Sequence, residues 1–233
     1  MEINKADNEK NKKDKFIKSD KRIALFGGVF DPPTLAHMIL ACEIYNNLEF
    51  IDEVWIIPFG DGRKDKTIRT SINHRINMLN RIKDDIIYSD LPIRICEIEK
   101  ENGCFMPTIQ LLDSLKSKYP SYFFYFAFGS NLIESFMKID QFERIVKEYR
   151  FILISRPGYE IDKTPSQILN NSDIIESELL ISSSTVIDRI DSLMKKKNKV
   201  HLACSGMISK SVLDYIYEHE LYKVESLCSD TIG

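Results

Sequence analysis

The sequence lacks paired cysteines of the Cys-x-x-Cys kind. Its five cysteines (Cys42, Cys96, Cys104, Cys204 and Cys228) are odd in number and widely spaced. That pattern argues against a disulfide framework and a zinc site and for free thiols in a reducing compartment. No apolar run approaches the roughly 18 residues of a membrane span, so no membrane partner is expected. The lysines near the N-terminus are not followed by an apolar segment, so no secretory signal is expected either. Neither sign of charge dominates: 32 Lys and Arg stand against 35 Asp and Glu, and the net charge is -3. Nucleic acid is therefore not expected as an obligate partner. An anionic substrate remains open, because a basic pocket needs no basic chain. No internal repeat is visible.

What is present falls into three parts. Residues 1–20 are rich in Lys, Asn, Asp and Glu and have almost nothing to bury, which predicts a disordered tail. Residues 21–223 read as one domain, and 224–233 as a C-terminal tail. Within the domain, short apolar runs at 22–26, 53–58, 92–98, 122–128 and 150–155 alternate with segments of helical apolar spacing at 35–48, 71–87, 107–118 and 131–148. Several runs are almost continuously apolar, as strands covered on both faces of a parallel sheet are. The alternation predicts an α/β fold with a doubly wound parallel sheet. A C-terminal helical segment follows, with helices expected at 183–196 and 209–219. Ligands in such sheets sit beyond the carboxyl ends of the strands. Gly27-Gly28 and Gly129-Ser130-Asn131 both fall at such ends.

The stretch "GGVFDPPTLAH", residues 27–37, carries the most chemistry. Two glycines allow close backbone approach to a ligand. Thr34 is placed to cap the following helix, and His37 lies three positions on, over the same first turn. Helix N-termini hold phosphate well. A hydroxyl and an imidazole there can each donate to a polyphosphate.

This stretch resembles the nucleotidyltransferase signature Gly-Gly-x-Phe-Asp-Pro with a following His/Thr-x-Gly-His. More narrowly, it is similar to that of the nicotinate/nicotinamide mononucleotide adenylyltransferases. The likeness continues, in order, through "KDKTIRTSINHRINML", "TIQLLDSLKSKYP", "FAFGSNLIESF", "FILISRPGY", "ISSSTVIDRI" and "VLDYIYEHELY". It implies a Rossmann-like nucleotidyltransferase fold in the cytoplasm, with the nucleus left open. It also implies transfer of the adenylyl group of ATP, carried with Mg²⁺, to the 5'-phosphate of a pyridine mononucleotide. By the same resemblance, His37, Lys66 and Arg75 would act on the phosphates, His37 as the transition-state donor. Gly27, Gly28, Phe30, Thr34, Gly129, Asn131, Ser183 and Ser184 would hold ATP. Gly28, Val29, Phe30, Lys66 and Thr108 would hold the mononucleotide. No protein metal ligands are implied, and a homo-oligomer is left open.

The chain departs from the family at five places. Val29 stands for Ser or Thr, Ala36 for Gly and Asn131 for Asp. Ile139 falls near a stacking Trp, and the Arg after the Ser-Ser motif is absent at Ile187 and Asp188. Phe136 and Trp55 become the aromatic candidates for the pyridine ring, although a lone Trp inside a strand also reads as core. Arg189 becomes a candidate for the missing cation. Ser183, Ser184 and Thr108 read equally as helix caps. Two alternatives stay open: an adenylyltransferase acting on another small phosphate such as phosphopantetheine, and a catalytically weak nucleotide-binding protein on the same fold.

Overall fold

The computed structural model describes residues 21–63, 65–179, 181–194 and 204–222. The expected tails, 1–20 and 224–233, lie outside them. Six parallel strands run β1 (Lys21–Gly28), β2 (Glu53–Pro58), β3 (Ile93–Ile95), β4 (Tyr122–Gly129), β5 (Arg150–Ile154) and β6 (Ser172–Ile175). Their order is β3-β2-β1-β4-β5-β6. The chain thus winds outward from β1 in one direction and from β4 in the other. The carboxyl ends of β1 and β4 form the switch point, where an open α/β sheet holds its ligand.

The helices are α1 (Leu35–Asn47), α2 (Ile72–Ile86), α3 (Thr108–Lys118), α4 (Phe142–Glu148), α5 (Ser183–Met194) and α6 (Lys210–Glu218), with short turns between them. The side chains of β1 alternate between two cores. Ala24 and Phe26 face α1, α2 and the C-terminal segment. Ile23 and Leu25 face α3 and α4. Both faces are covered, which is why the central strands read as unbroken apolar runs.

Three elements differ from the sequence expectation. The run 92–98 yields only three residues of strand, because Ile98–Glu101 turns into a helix at the sheet edge. The helix expected over 131–148 is broken. A 3-10 turn and a short helix end at Phe136, and Gln141 adopts a left-handed φ of 55° before α4 begins. The apolar spacing persists through the break, so periodicity did not reveal it. Strand β6 was not foreseen. It carries two apolar residues in four, and one of them, Ile174, is 47% exposed. At 183–196 the helix begins at Ser183, with Thr185 N–H donating to Ser182 Oγ (3.3 Å); residues 195 and 196 lie outside the described residues.

Candidate active site

The strand-to-helix turn after β1 is built around Phe30. Its φ of 53° folds the ring back beneath Gly28. A Cβ at Gly28 would meet that ring at 2.8 Å, so any larger residue would have to push the Phe30 ring aside. The Phe30 ring then packs edge-on against His37, with centroids 4.9 Å apart. His37 lies on the first turn of α1. Its Nδ1 accepts the Thr34 backbone N–H at 2.9 Å and lies 3.0 Å from Thr34 Oγ1. An Nδ1 that accepts leaves the proton of the neutral ring on Nε2. Burial, helped by the positive charge of Arg156, lowers the His37 pKa from 6.5 to about 4. His37 is therefore a neutral Nε2–H donor near pH 7. Thr34 itself is buried, with its hydroxyl turned to His37. The expected phosphate contact from Thr34 is thus replaced by a hold on the histidine ring.

Asp31, to which sequence reasoning gave no role, is a hub. It is buried and accepts the backbone N–H groups of Arg69 (2.6 Å) and Thr70 (3.2 Å), the Thr70 hydroxyl (2.7 Å) and the Tyr222 phenol (2.5 Å). Burial and the Asp31 charge push the Tyr222 phenol far above its usual pKa. One carboxylate thus ties the first motif to the 61–70 loop and to the C-terminal segment. The contact of Leu35 N–H with Met207 O (2.8 Å) adds a second tie. The signal in the sequence was an acidic residue between an aromatic and two prolines, a poor place for a solvated charge.

Arg75 is fully buried on α2, and its fork is spent internally. It donates to the carbonyls of Thr70 (3.2 Å), Val29 (2.9 Å) and Phe59 (2.6 Å) and to Asp61 Oδ1 (2.6 Å). That corrects the expectation of a phosphate-facing arginine, because a guanidinium so committed braces the loops after β1 and β2 instead. Lys66 is exposed on the 61–70 loop, where its charge is felt by Asp65.

Across the switch point, Gly129 ends β4. A Cβ there would lie 2.5 Å from Asn131 Oδ1 and 3.1 Å from Arg156 Cδ, so both side chains cross the space that glycine leaves. Ser183 begins α5 and donates its hydroxyl to Pro32 O (2.8 Å), fastening α5 to the first motif, while Ser184 is exposed. Arg189 is exposed, and its charge is felt by Cys204.

The structure places both aromatic ring candidates in the core. Trp55 is fully buried between Tyr119, Tyr122 and Phe124, and Phe136 is stacked on Phe128. A different pair lies at the carboxyl ends of β1 and β2. The Phe59 ring covers Gly27, and Phe105 meets it edge-on with centroids 6.2 Å apart. Arg63 lies over both rings, at 4.8 and 5.2 Å. Phe59 directly follows the carboxyl end of β2, which was the clue in the sequence. Buried Glu99 fixes this corner by accepting from Gly60 N–H (2.6 Å) and Met106 N–H (3.1 Å). Burial raises its pKa. Thr108, the first residue of α3, is half-buried close by. Among the described residues, no three His, Cys, Asp or Glu side chains are grouped to hold a metal, and no helix is long and apolar enough to cross a membrane.

A doubly wound sheet with a glycine-rich turn and a half-buried histidine on the first helical turn at its switch point is the scaffold expected of a nucleotidyltransferase. Residues 25–189 match the family model described as cytidylyltransferase-like, and the chain belongs to that family. The particular relatives are more specific. A "Probable nicotinate-nucleotide adenylyltransferase" of Bacillus cytotoxicus is 30% identical over 87% of this chain and 99% of its own length. One of the same name from Oceanobacillus iheyensis is 28% identical over 87% of this chain and 97% of its own. Among solved structures, Plasmodium falciparum nicotinic acid mononucleotide adenylyltransferase complexed with NaAD is 31% identical and superposes with a TM-score of 0.71. That match covers 87% of this chain and 97% of the other. The same protein complexed with APC is 30% identical, with a TM-score of 0.68 and the same coverage.

Proposed function

We propose that the chain transfers the adenylyl group of ATP to the 5'-phosphate of nicotinate mononucleotide, forming the dinucleotide and releasing pyrophosphate. The observation that carries this reading is the neutral His37 Nε2–H donor, held by Thr34 N–H beside Gly28 at the switch point. The relatives' names and the ligand of the Plasmodium structure support the choice of the acid over the amide.

A phosphate oxygen of the mononucleotide attacks the α-phosphorus of ATP, and the bond from that phosphorus to the pyrophosphate oxygen breaks. The attacking phosphate is already ionised, so no general base is required. Catalysis is positioning plus charge neutralisation. His37 donates to the oxygens on which charge develops. Gly27 and Gly28 let the phosphates approach the backbone. Asn131 takes the adenosine ribose, with Gly129 giving it room, and Ser184 and the start of α5 face the triphosphate. Lys66 reaches in from its loop, and Thr108 borders the mononucleotide. Mg²⁺ arrives with ATP as part of the substrate. We assign the pyridine ring to Phe59 and Phe105. We read residues 21–223 as one catalytic domain.

The test is a pyrophosphate-release assay with ATP and Mg²⁺ and, in turn, nicotinate mononucleotide, nicotinamide mononucleotide and phosphopantetheine. Turnover with the first, at the highest kcat/KM, is the expected result. Preference for either of the others, or no release with any, overturns the reading.

A further inference from the structure

Two loops meet where Phe59 and Phe105 face each other. One follows β2 and runs through Phe59, Gly60 and Asp61. The other precedes α3 and runs through Cys104, Phe105 and Met106. They touch backbone to backbone: a Cβ at Gly60 would lie 2.5 Å from both Cys104 C and Phe105 N. Phe105 N–H donates to Asp61 O at 3.2 Å. Arg75 holds Phe59 O and Asp61 from the other side, and Thr108 begins α3 two residues after Met106.

Glu99 joins these loops from a third element, the short helix Ile98–Glu101. It is 1% exposed. A single oxygen, Oε2, accepts Gly60 N–H (2.6 Å) from one loop and Met106 N–H (3.1 Å) from the other. The second oxygen, Oε1, is buried and has no hydrogen-bond partner among the described residues. Burying a carboxyl is costly, and an unfilled oxygen adds to the cost. A brace serving stability alone would fill both oxygens or dispense with the charge. What this carboxyl supplies is geometry: because one atom accepts from both loops, it fixes the distance between them.

We propose that Glu99 is a positioning residue for the mononucleotide: its carboxyl sets the spacing of the loops that carry Phe59, Phe105 and Thr108, and so the shape of the wall that receives this substrate. The proposal rests on the assignment of those three residues to the mononucleotide in the proposed function. Glu99 acts through the loops and touches no substrate. Gly60 is the same device seen from the first loop. Carbon contacts sit at about 3.5–4.0 Å, so an alanine methyl there parts the loops by about 1 Å, a misplacement that can cost about a hundredfold.

The experiment compares the full chain with Glu99→Ala, Glu99→Gln and Gly60→Ala, at a temperature where thermal unfolding shows each to be folded. Calorimetry measures binding of nicotinate mononucleotide and, separately, of ATP with Mg²⁺. Initial rates give kcat and both KM values. Glu99→Ala is expected to weaken the mononucleotide, in Kd and in KM, by about tenfold or more. ATP, held elsewhere, stays within about twofold. In Glu99→Gln the amide oxygen accepts the same two N–H groups, so most of the affinity returns. Gly60→Ala repeats the loss, and the double variant is no weaker than the worse single one, since both part the same loops. Should Gly60→Ala fail to fold, the two Glu99 variants decide. Normal mononucleotide affinity in a folded Glu99→Ala overturns the proposal. An equal loss of both substrates also overturns it, marking general damage. So does a Glu99→Gln as weak as Glu99→Ala, which marks charge and not spacing. If the intact chain adenylylates nicotinate mononucleotide while Glu99→Ala binds it normally, the catalytic reading stands and this proposal falls. If the intact chain binds that substrate without turnover and Glu99→Ala loses it selectively, the reverse holds. No mononucleotide binding by the intact chain overturns both.

Discussion

His37 accepts the backbone N–H of Thr34 on Nδ1 at 2.9 Å, and this one bond decides which nitrogen of the neutral ring keeps the proton. His37→Ala should lower kcat by about 10²–10³, the loss seen for one oxyanion-type donor, with smaller changes in KM. Stopped assays at saturating ATP check this. A variant with near-normal turnover would remove His37 from the mechanism.

The same histidine makes a pH prediction. Its folded-state pKa is about 4 against an ordinary 6.5. Between those values the unfolded chain binds the proton and the folded chain does not. Stability therefore falls as pH drops through this window and is fully retained above it. Urea unfolding near pH 7 and near pH 5 should show the decline, and His37→Gln should flatten it.

Arg75→Met should damage the fold more than the affinity for ATP. Removing it leaves three carbonyls and Asp61 without their donor, a loss of about 3 kcal/mol. For a chain of this size that is roughly 6–12 °C in Tm. At a temperature where the variant is folded, KM for ATP should stay within about threefold. A KM rise above tenfold without thermal loss would return Arg75 to the phosphates.

Phe59→Leu or Phe105→Leu should raise KM for the mononucleotide by about two- to tenfold, since aromatic pairing is worth about 0.5–1.5 kcal/mol, and leave KM for ATP unchanged. Trp55→Phe and Phe136→Leu should instead lower Tm without moving either KM. The opposite pattern would put the ring against the core aromatics.

Tyr222→Phe removes one of four donors to buried Asp31. A hydrogen bond to a charged group is worth about 1.5–3 kcal/mol, so thermal unfolding should shift down by several degrees. Asp31→Ala, which removes all four, should cost more.

Much of this molecule was legible in advance because burial writes itself into composition. Strands β1, β2, β4 and β5 are covered on both faces and are apolar at nearly every position. The edge strand β6, half in solvent, carries no such run. The first motif was legible because a glycine pair, a capping threonine and a histidine have few other reasons to occur at that spacing. Depth was not legible for charged and aromatic residues. Arg75 and Arg156 are the same residue type; the first is fully buried among carbonyls and the second lies half-buried against Gly129 at the end of β4. Only packing against loops distant in sequence separates them. Phe59 and Trp55 differ in the same way.

The Asp31–Tyr222 bond also bears on how the protein is made. The two residues are 191 positions apart. At about 5–20 residues per second, a ribosome adds Tyr222 roughly 10–40 s after Asp31. Until then Asp31 lacks its phenol, and the Met207 carbonyl that receives Leu35 N–H is missing for most of the same interval. The first strand and its Gly-Gly turn thus emerge early and wait, and the crevice is closed by the last described residues to leave the exit tunnel. The Asp31 hub is complete only once Tyr222 has been made, and a shorter growing polypeptide displays the sequence motif without that tie.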